Sequence, residues 1–408
     1  MQETSQSQAV PVGAKRWIYV VNGMVLLLFL GLIYAWSIFV APLEQEFGWL
    51  RSETSLAFSI CMSMFCIGGF AAGMLSKRYP SRVAVWLCAA LVFTGFLLAA
   101  RIHTLPGLYI SYGVLVGFGI GLSYNAIIST VIQWFPDKPG LISGLLLMGF
   151  GFGGMLLGSV SRSLITMLGW RTTFNALGVA FGAIILFCSL FLVPPGKDVI
   201  LPQPKIKPGK KREAGLELST GEMLRRPSFY LYFLWAVLLT AAGLMLIGHA
   251  APMALDMGLV SATATFLVGL ISIFNGAGRV ISGFALDTIG RKQVMFIVSG
   301  GFILSGAILM LALKTGSMPL LTLGFVFVGL SYGSVPPTNS MVIRTFFGTH
   351  DYAVNFSVVN LNIIFSSFSG PYLAGILQTS TGSYFATALV MLLFGAAALL
   401  LAALVRKP

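Results

Sequence analysis

Apolar residues come in long unbroken runs along this chain, separated by brief polar breaks. A helix needs about 20 apolar residues to cross the hydrocarbon layer of a bilayer. The runs that qualify are 17–40, 54–76, 83–101, 107–132, 141–167, 172–193, 228–255, 261–286, 293–313, 318–341, 352–377 and 383–405. They predict an all-α membrane protein with twelve transmembrane helices. One long polar segment, 194–227, interrupts the series; it carries Pro194, Pro195, Pro202, Pro204 and Pro208 and a Lys/Arg cluster at 205–212. The expected organisation is a six-helix bundle over 1–193, a linker over 194–227 and a second six-helix bundle over 228–408. Within the linker, Ser219 and Glu222 have the spacing of a capping box and predict a short helix before Pro227.

The two halves repeat one another. Gly121-Leu-Ser-Tyr124 in the fourth run recurs as Gly329-Leu-Ser-Tyr332 in the tenth, and the stretch Gly73–Arg82 after the second run corresponds to Gly283–Lys292 after the eighth. Pseudo-symmetric bundles of this kind place a substrate near the midplane between them.

Composition agrees with the pattern. With 57% hydrophobic and 9% charged residues and a mean hydropathy of +0.91, the chain is far too apolar for a surface that meets water. The first run is long enough to span and follows only a short polar stretch, so it reads as a retained helix rather than a cleaved signal. The net charge of +13 would suggest a nucleic-acid partner in a soluble protein, but its placement argues otherwise. With the N-terminus inside, nineteen of the 25 basic residues fall on the cytoplasmic side, while Arg51, Arg101, Arg162, Arg171 and Lys314 fall outside. This asymmetry predicts a multi-pass protein of the inner cell membrane with both termini cytoplasmic. The basic run at 205–212 reads as a solvated loop or as a contact for anionic lipid. Cys61, Cys66, Cys88 and Cys188 all lie in apolar runs and read as buried small hydrophobes.

One basic residue, Arg279, is left within the membrane. An arginine at the centre of a membrane helix costs about 2.5–3.5 kcal/mol on insertion scales, so such a residue usually faces a cavity. All twelve acidic residues map to loops or helix ends, which leaves Arg279 without an internal counter-ion. A guanidinium takes a carboxylate bidentately, and the ligand's own carboxylate is its natural partner; the bland alternative is bonding to backbone carbonyls alone. Asn275 stands one turn before Arg279 on the same helix face, suited to orienting the guanidinium or binding a substrate hydroxyl. Counting 1.5 Å per residue, Arg279 lies about 9 Å to the cytoplasmic side of its helix centre. Tyr124 and Tyr332 fall on the same side, as carboxylate donors or as packing residues, and Leu28 falls near mid-depth. Asn355, Asn360 and Asn362 make the eleventh helix polar. Two candidates for proton coupling remain. His249 lies about 12 Å outward of its helix centre and reads as a packing residue or a proton site; Asp256 lies near the outer end of the seventh helix.

Gly149, Gly151 and Gly154 satisfy G-x-G-x-x-G but sit inside a membrane run with no preceding strand. With Gly117, Gly119 and Gly121 they read as places of close helix approach. No cofactor is expected, nor a metal, and no Walker motif or hydrolytic triad supports an enzyme.

Gly283-Phe-Ala-Leu-Asp-Thr-Ile-Gly-Arg-Lys292 resembles the loop motif of the major facilitator superfamily, G-x-L-a-D-r-x-G-r-k; in the first half Lys77 and Pro80 replace its acidic residue and its glycine. A narrower resemblance rests on Trp134-Phe-Pro-Asp-Lys-Pro-Gly-Leu-Ile-Ser-Gly144, Gly221-Glu-Met-Leu-Arg-Arg-Pro227, Phe274-Asn-Gly-Ala-Gly-Arg279 and Pro337-Thr-Asn-Ser340. Together these resemble the monocarboxylate transporter and oxalate:formate antiporter branch. The resemblance implies the major facilitator fold, a secondary carrier working by alternating access, and a substrate-anion role for Arg279. Dicarboxylate carriers of the branch carry a lysine in the eleventh helix where this chain has Val359. A second carboxylate would be stranded there without a cation, so the expected partners are a small monocarboxylate of the lactate or pyruvate type, a proton and the lipid bilayer, with no obligate protein partner. The alternative is an anion exchanger of the oxalate:formate type.

Overall fold

The protein is described here by a computed structural model covering residues 16–76, 78–196, 199, 201–202, 216–348 and 351–408. Lys77 and the basic cluster 205–212 lie outside these residues. Helices account for nearly every apolar run, because only a helix can pair its own backbone polar groups where no water reaches. Among the described residues ten helices are long and apolar enough to cross a membrane. One of them, Pro139–Ser189, is two segments joined end to end, divided at Gly169 by a left-handed φ of 77° that a side chain would resist. A further run, 352–381, is assembled from shorter helical pieces. Together these give the twelve expected segments, referred to below by their order.

The bounds differ from the sequence map in instructive ways. The first segment was expected to end at 40, yet after Trp17–Leu30 and a tight 3-10 stretch, Gly31–Ala35, the helix continues as Ser37–Phe47 through Pro42, Glu44 and Glu46. Polar residues extend a helix that already protrudes beyond the apolar layer. The tenth segment, Met318–Phe347, likewise runs past its apolar stretch. The eleventh, expected as one helix, is Tyr352–Asn360, Asn362–Ser367, a π-helical turn Phe368–Tyr372 and Leu373–Thr381. Pro371 lies in that turn and has no N–H to give to the ladder. Arg162, counted with the outer residues, sits inside the fifth segment, about 10 Å before Gly169. It is half-buried, as expected of a long side chain whose head reaches toward the interface.

Ser219 and Glu222 form the expected capping box: the Ser219 hydroxyl accepts from the Glu222 N–H, and Glu222 accepts from the Ser219 N–H at 2.8 Å. All four cysteines are free and buried.

Contacts between the first six and the last six segments define what the fold can do. The fifth segment lies against the eighth through small residues. A Cβ on Gly151 would press on the Ser272 carbonyl, and one on Gly154 would collide with the Ser272 hydroxyl. The G-x-G-x-x-G spacing is therefore a place of backbone approach. The second segment meets the eleventh, where the hydroxyls of Ser63 and Ser367 lie 2.7 Å apart and the Cys66 thiol donates to the Asn360 carbonyl at 3.2 Å.

The two ends of the bundle differ. At the end that carries Arg16 and Pro408, Asn125, Ser129 and Gln133 of the fourth segment are exposed at helical spacing. These three residues give an otherwise apolar helix a polar exposed strip, whose side chains donate to the carbonyls of Gly69, Ala126 and Ser129. At the far end the halves are in contact: Gly375 of the eleventh segment rests on Ser52 and Ser55 of the second, and Gly248 of the seventh on Phe58.

Candidate functional site

Arg279 belongs to the eighth segment, Ser261–Thr288. It is 6% exposed, and among the described residues no carboxylate pairs with it. Its Nη1 donates to the Tyr124 hydroxyl at 3.3 Å, a long bond, and its Nε has no partner. The phenols of Tyr34 and Tyr332 stand in the neighbourhood of the guanidinium. The three tyrosines come from different segments: Tyr124 from the fourth, Tyr332 from the tenth and Tyr34 from the 3-10 stretch of the first.

An aromatic wall joins these hydroxyls. Phe150 of the fifth segment packs edge-on against Tyr34 and Tyr124, with centroids 5.2 and 5.0 Å away. Phe65 of the second segment meets Tyr124 edge-on at 5.2 Å, and Tyr34 meets Tyr332 edge-on at 6.3 Å across the two halves. The result is a cation in an apolar, hydroxyl-studded surround, with donors converging where an anion's charge would sit.

Asn275 is 1% exposed, and its Oδ1 has no hydrogen-bond partner. Its backbone is pinned by the tenth segment, because a Cβ on Gly333 would overlap the Asn275 carbonyl. Leu28 is half-buried, and its carbonyl lies against Gly153 of the fifth segment. That carbonyl marks a close backbone approach of the first and fifth segments. Val359, at the position of the absent second cation, is fully buried.

His249 and Asp256 lie apart from Arg279, in the contact at the far end. His249 is fully buried, with Nε2 2.8 Å from the Pro371 carbonyl and 3.0 Å from the Ser55 hydroxyl, and Nδ1 2.9 Å from the Tyr384 hydroxyl. A carbonyl only accepts, so Nε2 carries the hydrogen and Nδ1 accepts from Tyr384. The Tyr384 oxygen in turn accepts from Arg51 Nη1 at 2.6 Å, while Arg51 Nε donates to Glu44 at 2.7 Å. Asp256 accepts from Gln378 at 3.3 Å and stands 4.0 Å from Arg51. Glu44, Arg51 and Asp256 line one open pocket at this end. The histidine that looked solitary in sequence is the centre of a network joining the second, seventh, eleventh and twelfth segments.

Sequence reasoning missed Tyr34, Arg51 and Tyr384. Tyr34 was displaced by the early end assigned to the first helix. Extending that helix to Phe47 moves its midpoint to roughly residue 32 and brings Tyr34 to mid-depth. Arg51 and Tyr384 sit at segment ends, where nothing local separates a network member from an ordinary interfacial residue. Among the described residues no group of His, Cys, Asp and Glu is placed to hold a metal.

Comparison with known proteins places the chain. It is 26% identical over 361 residues to the oxalate:formate antiporter of Oxalobacter formigenes, covering 86% of this chain and 83% of that one. It is 25% identical over 399 residues to human monocarboxylate transporter 11, covering 95% and 82%. A bacterial homologue of the human lysosomal transporter Spinster, solved in an inward-facing and unoccupied conformation, superposes with a TM-score of 0.72 at 15% identity, covering 96% and 98%. The xylose transporter XylE from E. coli, in a partially occluded inward-open conformation, gives 0.67 at 16% identity, covering 95% and 97%. The sequence profile of the Major Facilitator Superfamily matches residues 21–371, and the chain belongs to that family as a membrane transporter with monocarboxylate and oxalate:formate relatives.

Proposed function

We propose that this chain carries a small monocarboxylate, of the lactate or pyruvate type, together with a proton by alternating access. The observation that carries the reading is Arg279: buried, joined to one phenol by a long bond, with a guanidinium N–H left free. A buried cation without a carboxylate is costly, and a ligand carboxylate removes that cost. One cation calls for one anionic group; Val359 offers nothing to a second. The end carrying Arg16 and Pro408 is read as cytoplasmic in the inner cell membrane, so the exposed strip of Asn125, Ser129 and Gln133 lies toward the inner side.

Coupling is read from the far end. An anion entering against an inside-negative potential is opposed by about 2.3 kcal/mol per 100 mV, which an accompanying proton cancels. His249 is the proposed proton seat and Asp256 the acid at its mouth. A second proton on His249 must occupy Nδ1, which displaces the Tyr384 hydrogen bond and adds a charge beside Arg51. Protonation thus bears on the contact that closes this end.

Purified protein in proteoliposomes is expected to take up lactate or pyruvate saturably, faster with an inward-directed proton gradient, and Arg279→Gln is expected to stop it. Normal uptake by Arg279→Gln sinks the proposal. Uptake that ignores pH and demands a preloaded counter-anion replaces it with the exchanger reading, which the similarity to an oxalate:formate antiporter keeps in view. His249→Gln is expected to lose stimulation by the proton gradient while retaining lactate-for-lactate exchange.

A further inference from the structure

We propose that Arg162 and the far end of the seam between the fifth and eighth segments form a binding site for the phosphate head of a phospholipid. Further in, the seam is closed. Gly269 and Gly276 of the eighth segment are buried against Met155 and Met148 of the fifth, and a Cβ on Gly269 would collide with Met155. On each helix the members of these two pairs stand seven residues apart, which is two turns and about 10 Å. The next pair outward on the same two faces is Arg162 and Ala262. Here the seam opens: Ala262 is exposed where Gly269 and Gly276 are buried.

One wall of this opening carries a cation without a partner. Among the described residues no carboxylate pairs with Arg162, and its guanidinium donates to no oxygen. The arginines Arg51, Arg101 and Arg171 of the same end differ: they donate to Glu44, the Leu97 carbonyl and Glu46. On the opposite wall Ser261 begins the eighth segment, half-buried, and among the described residues its hydroxyl has no hydrogen-bond partner. The flanks of the opening are apolar and exposed, with Leu156 and Val160 on the fifth segment and Val260 and Phe266 on the eighth.

A guanidinium fork matches the geometry of a phosphate, and the exposed apolar flanks favour an anion that brings hydrocarbon with it. A phospholipid meets both demands. Arg162 lies about 10 Å before the end of its segment at Gly169, and its long side chain carries the charge toward the level of the head groups. The fifth and eighth segments belong to opposite halves, so a phosphate seated between Arg162 and Ser261 joins the halves at the far end. The site is independent of which acid is transported.

The test uses the full chain, purified in detergent and stripped of lipid, with phosphatidylglycerol added back and bound lipid counted by native mass spectrometry. Arg162→Gln is expected to hold the tightest phosphatidylglycerol about 10-fold more weakly than the wild type, the value of a charge-assisted hydrogen bond. Arg101→Gln is expected to match the wild type. Ala262→Phe fills the opening from the opposite helix and leaves the charge in place; it is expected to weaken the same site and serves where Arg162→Gln does not fold. Diacylglycerol with the same chains is expected not to compete, nor is inorganic phosphate in excess. Undiminished binding by Arg162→Gln, or by Ala262→Phe where the first variant does not fold, overturns the inference. Competition by diacylglycerol also overturns it, because the cleft is then merely apolar. Displacement by inorganic phosphate does so as well, because the site then takes a soluble anion.

Discussion

The centre of the bundle and its far end use the same kinds of group in opposite ways. Around Arg279 the polar atoms are under-used: one long bond to Tyr124, a free Nε and an unpaired Asn275 oxygen. Around His249 they are used fully. Both imidazole nitrogens are engaged, Arg51 bonds Glu44 and Tyr384, and Thr54 adds a 2.9 Å bond to Glu44. Unsatisfied polar atoms in an apolar interior raise the energy of the empty state and await a ligand. Satisfied ones hold two surfaces together. The centre is thus built to receive, and the far end to close.

The sharpest way to break the centre is to keep its charge and change its shape. Arg279→Lys leaves a cation but removes the planar fork, and an ammonium bonds a carboxylate as a point charge. Carboxylate uptake is expected to fall by about 100-fold, the order expected when a buried, charge-assisted pairing is lost. Tracer uptake retained above a tenth of wild type would reduce the site to simple charge attraction.

At the far end the informative change is Tyr384→Phe. It keeps the ring and removes the one hydroxyl that joins Arg51 to His249, leaving a buried acceptor unpaired at a cost of about 1–3 kcal/mol. The contact should loosen. A cysteine placed at Ser59, about two turns below Arg51 along the second segment, is expected to react with a maleimide several-fold faster in this background. Equal labelling would mean that apolar packing alone holds the halves here.

The smallest effect tests whether this contrast is confined to interhelix sites. Arg16 makes a bidentate pair with Asp137 at 2.6 and 2.9 Å and stacks over Phe135. The guanidinium holds the Asp137 carboxyl below its usual range. A lowered carboxyl contributes stability above the unfolded carboxylate range and loses it as the pH falls through its own lowered range. Asp137→Asn is expected to cost about 1 kcal/mol at neutral pH, read as a lower melting temperature in detergent. The difference from wild type should shrink as the pH falls below the usual carboxylate range. Transport by this variant should be unchanged, since the pair lies outside both regions compared here.

Much of the fold was legible because apolar length is a local property. Runs of about 20 residues picked out the segments that the structure makes helical, and the repeated Gly-Leu-Ser-Tyr stretches at 121 and 329 pointed to two matched halves. Ends were less legible where polar residues continue a helix beyond lipid, as at Glu44 and Glu46 in the first segment. The break-up of the eleventh segment escaped notice because Pro371 is tolerated where neighbouring helices take up the freed backbone groups. In the site, Arg279 announced itself by charge and Asn275 by its place one turn away. Tyr124 and Tyr332 were chosen by their depth and their donor hydroxyls. Tyr34 was not, because its depth depended on where the first helix ends. Leu28 was chosen by depth alone, and its carbonyl lies against Gly153.

What the chain determined by itself was therefore everything set by transfer between water and lipid: the number of segments, the burial of the cysteines and the isolation of a single deep cation. What only the tertiary structure decided was partnership. That His249 meets Ser55, Pro371 and Tyr384, and that Arg279 bonds Tyr124 and, among the described residues, no carboxylate, depends on residues up to 194 positions apart along the chain. Hydrogen bonds reach about 3 Å, and only packing brings such residues within that range.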